Sequence, residues 1–244
     1  MKWLFLNAKE RIRFASRYPA YALRSLLREI TLSDERFLAA ATGVATRDIR
    51  RFLDEPSETP RFLEHLQNNG GTFQATSISS ADLYAKKVLL QYAAIRALRP
   101  ELVVETGVAN GVSSSYLLLA LRHNGKGMLH SIEVGDSSYL PPGCSPGWIV
   151  PDELRGRWTL HLSDARDLLP ELLRQLGELD VFIHDSLHTD EHMHFEFAQA
   201  YPHLRDGGLL IADDASWNRA FPDFVQQVGA PMAQILHGVG FLRK

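Results

Sequence analysis

The chain has a single cysteine, Cys144, in 244 residues, so no internal disulfide and no cysteine-built zinc site is available to it. No apolar run approaches the roughly 20 residues that a membrane-crossing helix needs. Met1-Lys2-Trp3-Leu4-Phe5-Leu6 begins as a secretory leader does, but Asn7, Lys9, Glu10 and Arg11 end the apolar run too early. The chain therefore reads as cytoplasmic. Internal repeats and low-complexity segments are also lacking. What remains is ordinary for a folded protein: 45% apolar and 23% charged residues, enough for a core. The length suits one sizeable α/β domain, alone or with an appendage.

The net charge of −3 hides a division. Residues 1–51 carry eleven Lys and Arg against five Asp and Glu, which is +6 and leaves −9 for the rest. Lys9, Arg11, Arg13, Arg17, Arg24 and Arg28 alternate with Ile12, Phe14, Tyr18, Tyr21, Leu23, Leu26 and Leu27. A basic amphipathic helix of this kind lies on an anionic membrane or contacts nucleic acid. The commoner alternative is a helix that packs its apolar side on a neighbour or a second subunit. No nucleic-acid partner is expected, which leaves a peripheral membrane or subunit contact through residues 1–51, and a homo-oligomer.

Residues 1–70 read as a helical extension. Ser33 caps one predicted helix, and a second begins at Thr46-Arg47-Asp48 and ends at Pro56. Asn68-Asn69-Gly70-Gly71 is the strongest linker signal and sets the expected boundary, with a Rossmann-like domain over residues 71–244. There a helix from Ala81 to Leu98 stops at Pro100, and strands are predicted at Leu102–Glu105, Met128–Val134, Trp158–Leu162, Asp180–Asp185 and Gly208–Asp213. Met232–Leu236 and Val239–Leu242 are joined by His237-Gly238 alone, too short for a parallel crossover, so they form a hairpin. The fold class is α/β: five parallel strands closed by an antiparallel C-terminal hairpin.

Glu105-Thr106-Gly107-Val108-Ala109-Asn110-Gly111-Val112-Ser113 joins the first predicted strand to an amphipathic helix. Glycines in such a turn let backbone approach a ligand closely, and the helix start offers unpaired N–H groups. In open α/β sheets ligands sit outside the carboxyl ends of the strands. Every predicted strand of the parallel set ends near a carboxylate: Glu105, Glu133, Asp164, Asp185, and Asp213 with Asp214. A pyrophosphate wants a Gly-x-Gly-x-x-Gly turn and little nearby negative charge, whereas Gly107 and Gly111 have the wrong spacing and acids surround them. A cationic cofactor suits this edge better.

Glu133 is placed to accept ribose hydroxyls, and Asp164 with Ala165 either reaches an adenine or caps the next helix. Asp185, Asp213 and Asp214 are expected to converge, and three carboxylates at one point need a proton or a bridging cation. Oxygen ligands favour a divalent ion, Mg²⁺ first, over zinc. His188 stands three residues beyond Asp185, where a neutral imidazole takes a proton from a substrate hydroxyl; Asp185 is the competing base. His188 and His192 can share a metal if residues 189–200 are helical, but a solvated face for His192 and His194 is the preferred expectation. The Pro/Gly-rich loop from Gly135 to Trp148 is a candidate lid, with Tyr139 and Trp148 as covers or anchors. Trp217 and Asn218 are candidates to line an acceptor pocket.

The Glu105–Ser113 turn, Asp185-Ser186-Leu187-His188-Thr189, and Gly207-Gly208 through Asp213-Asp214 together resemble the class I S-adenosylmethionine-dependent methyltransferases. The nearest resemblance is to the small-molecule O-methyltransferase and cephalosporin-hydroxylase-like group. It covers about residues 80–244, and Ala109 stands where many class I enzymes have glycine. It implies S-adenosylmethionine held by Glu105, Thr106, Gly107, Gly111, Ser113, Glu133, Asp164 and Ala165. It also implies a divalent ion on Asp185, Asp213 and Asp214, and a small hydroxylated acceptor. The alternative is a non-catalytic binding or scaffolding module on the same fold, docked through its basic N-terminus.

Overall fold

The computed structural model describes residues 33–69, 78–135, 140–230 and 232–244, with backbone alone for 78–83. The basic stretch from Lys9 to Arg28, the linker glycines Gly70 and Gly71, and Tyr139 lie outside the described residues. In chain order the helices and first strands are α1 (Asp34–Thr42), α2 (Thr46–Asp54), α3 (Pro60–Asn68), α4 (Ile78–Leu98), β1 (Leu102–Thr106), α5 (Val112–Asn124), β2 (Met128–Glu133) and β3 (Trp158–Leu162). They continue as α6 (Ala165–Leu176), β4 (Leu179–His184), α7 (Asp190–His203), β5 (Leu204–Ala212), α8 (Ala220–Val228), β6 (Met232–Leu236) and β7 (Val239–Arg243).

The strands form one seven-stranded sheet in the order β3-β2-β1-β4-β5-β7-β6. β1 to β5 are parallel, and β7 runs antiparallel to both β5 and β6. The hairpin expectation holds for a physical reason: His237 and Gly238 both have positive φ, 52° and 82°, as a two-residue hairpin turn requires. Strand order reverses between β1 and β4, so the crevice beyond their carboxyl ends is the switch point where open α/β sheets take ligands. β5 begins at Leu204 rather than Gly208, because Leu204 pairs with Leu179 ahead of a register shift.

Alternation along each strand sends neighbours to opposite faces. Val103, Val181, Leu209 and Ile211 pack on one side with Leu90, Ile95, Leu117 and Leu118 of α4 and α5. Val104, Phe182 and Leu210 pack on the other with Leu169, Leu173 and Phe197 of α6 and α7. Phe37, Leu38 and Ile49 of α1 and α2 join the first of these cores, and Phe37 meets Phe241 of β7 edge-on at 5.1 Å. The described part of the extension thus packs through α1 on the β6–β7 hairpin and through α2 and α3 on α4 and α5. Among the described residues no helix is long and apolar enough to cross a membrane.

Candidate active site

The turn after β1 needs its glycines. Gly107 has φ +85°, and a Cβ there would stand 2.1 Å from the carbonyl oxygen of Asp185. The turn after β1 therefore abuts the turn after β4. Gly111, at φ +96°, would bring a Cβ within 2.8 Å of Gly147 and Val150. Ala109 also lies in the left-handed region, at φ 47°. A non-glycine residue there costs roughly 1 kcal/mol.

The acids of this half are already bonded. Glu133 Oε2 accepts from the backbone N–H groups of Val108 and Ala109 at 2.7 and 2.8 Å, and Oε1 accepts from Val134 N–H at 2.8 Å. Two amides that a phosphate would use in this turn are taken by a carboxylate. Glu105 lies fully enclosed beneath the turn, accepting from Ser113 at 3.2 Å, Ser114 at 2.7 Å and Ser131 at 2.8 Å. Burial pushes its carboxyl up to about 7 against the pull of those hydroxyls. These bonds tie the carboxylate to α5 and β2 directly below the glycine turn. A strand-end acid looks alike in sequence whichever way the pleat turns it.

Thr106 and Ser113 are likewise buried with their hydroxyls turned inward, Thr106 towards Glu196 and Ser113 towards Glu105. Asp164 is exposed and caps α6, accepting from Arg166 N–H at 2.7 Å, while Ala165 is buried in the first turn. The capping alternative for Asp164 is thus the one visible in the side-chain geometry.

The other half is less settled. Asp185 N–H donates to Thr106 O at 2.9 Å and Asp213 N–H to His184 O at 2.8 Å, which fixes both acids at adjoining strand ends. One ligand atom each from Asp185, His188 and Asp213 lie within 4.8 Å of one another. Asp214, at φ 51°, is not in that trio. Its Oδ1 accepts from Lys87 Nζ at 2.6 Å, and the same ammonium donates to Asp213 Oδ1. Lys87 was not anticipated. Its sequence signal is its place on α4 one turn from Leu90 and Gln91, both buried, which puts it on the helix's inner face. Burial opposes its charge, but Asp213, Asp214 and Asp185 hold it protonated.

Burial and the Asp213 charge raise Asp185 well above the usual carboxylate range, with Lys87 opposing. Burial lowers His188, so its imidazole is neutral near pH 7, although Asp214 pulls the other way. His188 Nε2 is buried without a hydrogen-bond partner and lies 3.7 Å from Asp185 Oδ1, beyond hydrogen-bond length. Its ring packs against His184 at 5.2 Å and Trp217 at 5.6 Å, and its backbone oxygen accepts from Asn218 Nδ2 at 3.1 Å. Trp217 and Leu187 beside it are 50% and 57% exposed, an apolar rim at the imidazole.

The converging Asp185 and Asp213 oxygens, with the His188 imidazole beside them, fit a divalent ion of the Mg²⁺ or Mn²⁺ kind, which would favour the ionised form of Asp185. His188 and His192 do not converge on a shared metal. His192 is buried rather than solvated, and its Nε2 meets Glu196 at 2.9 Å. His194 keeps a partly exposed side chain, its Nε2 3.8 Å from Asp190. Trp148 anchors its loop: its Nε1 donates to Asn110 Oδ1 at 3.0 Å, and Gly147 and Ile149 N–H groups bond the Ala109 and Asn110 carbonyls.

A family profile described as a methyltransferase domain matches residues 104–215. Mycinamicin VI 2''-O-methyltransferase of Micromonospora griseorubida is 28% identical over 99 residues, 41% of this chain and 22% of that protein. L-olivosyl-oleandolide 3-O-methyltransferase of Streptomyces antibioticus is 35% identical over 81 residues, 31% of this chain and 21% of that protein. The matched stretch spans about a fifth of the length of these curated relatives. An S-adenosylhomocysteine-bound methyltransferase of Podospora anserina shares the fold with a TM-score of 0.52 and 16% identity, over 75% of this chain and 86% of its own.

Proposed function

We propose that this chain, whose residues 104–215 match a methyltransferase domain, is a class I S-adenosylmethionine-dependent enzyme that methylates a hydroxyl of a small acceptor with the help of a divalent ion. The observation that carries this reading is the contrast between two carboxylates that occupy the turn's own donors and an unpartnered neutral imidazole beside three acids. The curated relatives named above are O-methyltransferases, which supports the acceptor atom.

The Gly107–Gly111 turn would hold the methionine part of S-adenosylmethionine. Its backbone can approach closely there, and Glu105, Thr106 and Ser113 stiffen it from below. Glu133 would take the ribose hydroxyls in exchange for part of its backbone bonding, with Asp164 and Ala165 at the adenine end. Asp185 and Asp213, backed by Lys87 and Asp214, would hold the ion, which supplies charge that lowers the acceptor hydroxyl's pKa. His188 Nε2 would take the hydroxyl proton, readying the acceptor oxygen for the methyl group that S-adenosylmethionine supplies when bound. The scaffolding alternative is not favoured, since it gives no reason to keep His188 Nε2 buried and unpaired at the site.

Transfer of labelled methyl from S-adenosylmethionine to a panel of small hydroxylated acceptors tests this. EDTA abolishes the transfer and Asp213→Ala mimics EDTA. Full turnover under both conditions would remove the ion from the mechanism, and a chain that binds no S-adenosylmethionine would remove the whole reading.

A further inference from the structure

Glu196 lies on α7 rather than on a strand, and its side chain is fully buried beneath the ends of β1 and β4. Four side chains converge on its two oxygens. Oε2 takes Thr106 Oγ1 at 2.6 Å and His184 Nδ1 at 2.6 Å. Oε1 takes Ser186 Oγ at 2.8 Å and His192 Nε2 at 2.9 Å. Burial alone would raise this carboxyl; the bonds from His184 and His192, with Thr106, bring it down to about 2, so it is a carboxylate with its acceptor capacity filled.

The four donors come from different parts of the site. Thr106 ends β1 and leads into the glycine turn. Ser186 lies inside the turn that carries Asp185 and His188. His184 ends β4 and packs edge-on against the His188 ring. His192 is on the first turns of α7, whose N-cap, Thr189, directly follows His188. The two turns touch above this carboxylate, where Gly107 has no room for a Cβ against Asp185.

We propose that Glu196 is a positioning residue that locks the glycine turn and the Asp185–His188 turn into one unit, so that the methyl donor and the base are held in mutual register from below. This rests on the reading of the glycine turn as the S-adenosylmethionine site. Charge-assisted bonds of this length are among the stronger ones in proteins, and a carboxylate that collects four of them leaves each donor little freedom. An amide cannot replace it, since one of its two polar atoms is a donor and would face donors.

Calorimetric titration with S-adenosylhomocysteine gives the test, with folding of each variant checked by near-ultraviolet circular dichroism. Glu196→Gln is expected to weaken binding at least fivefold, although Glu196 lies beneath the turn and not in the cleft. Thr106→Val and Ser186→Ala are each expected to weaken binding in the wild-type background and to add nothing to Glu196→Gln. Should Glu196→Gln fail to fold, the Thr106→Val/Ser186→Ala pair carries the test. Thr106 and Ser186 are joined through Glu196, so their effects should fall short of additive. Wild-type affinity in Glu196→Gln, or additive effects in the double variants, would overturn the proposal while leaving the cofactor site standing. No binding by the wild type would instead remove the cofactor reading.

Discussion

The two halves of the strand-end crevice are built from the same residue type and solve its electrostatic problem in opposite ways. On the β1–β2 side, Glu105 and Glu133 are saturated by seryl hydroxyls and backbone amides, and each stabilises the turn it belongs to. On the β4–β5 side, Asp185, Asp213 and Asp214 face one another with Lys87 as the only described ammonium bonded to them, and His188 Nε2 has no partner. Saturated acids make a rigid ligand platform. Aspartates grouped around one ammonium, with His188 Nε2 3.7 Å from Asp185, suit an ion and proton transfer. On the proposed function, the difference would separate the holding of a cofactor from the chemistry performed on it.

The largest expected effect comes from breaking the less settled half. Lys87→Met leaves buried carboxylates without their cation, and the loss of one partner of a buried pair costs about 3–5 kcal/mol. Urea unfolding at pH 8 should show this, with Mg²⁺ restoring part of it. A loss under about 1 kcal/mol would mean that Lys87 is not what holds these acids together.

The carboxylate that underlies both halves has a signature of its own. The Glu196 carboxyl is at about 2 in the folded chain, below its unfolded value of 4.5. The stability it supplies is present above pH 4.5 and is lost as pH falls towards 2. A shift of that size corresponds to about 3 kcal/mol. Glu196→Gln should flatten the pH dependence of unfolding in this window; an unchanged slope would count against an ionised Glu196.

Glu105 works in the opposite sense. Its folded value of about 7 lies above the unfolded 4.5, so the folded chain keeps a proton that the unfolded chain has lost. Stability therefore falls as pH rises from 4.5 to 7, by at most about 3 kcal/mol. Glu105→Gln should remove that fall, and the saturated half gains from it near neutrality. The smallest effect belongs to Asp164. If it serves only as the cap of α6, Asp164→Ala costs about 1 kcal/mol and leaves S-adenosylhomocysteine affinity unchanged. A tenfold loss of affinity would return it to the cofactor site.

Much of this was legible in the sequence. Apolar runs ending in acids placed the parallel strands, the two-residue link at His237-Gly238 forced the hairpin, and Gly107 and Gly111 marked the turn. Local patterns carry such information. Side-chain direction at a strand end does not show in a one-dimensional pattern, so the three seryl partners of Glu105 could not be read there. Lys87 meets Asp213 and Asp214 from 126 and 127 positions away, a separation no spacing rule reaches. Glu196 left a fainter mark. It shares the α7 face with buried Met193, Phe197 and Ala200, and a carboxylate in such a stripe must have partners.

The division of labour between the halves is tested most directly by titrating S-adenosylhomocysteine into the wild type, the wild type with EDTA, and His188→Ala. If the β1–β2 half is the cofactor platform, all three bind with the same micromolar-range affinity, while methyl transfer is lost in the second and third. Absence of binding in the wild type at millimolar ligand, or binding that vanishes with EDTA or with His188→Ala, would contradict it.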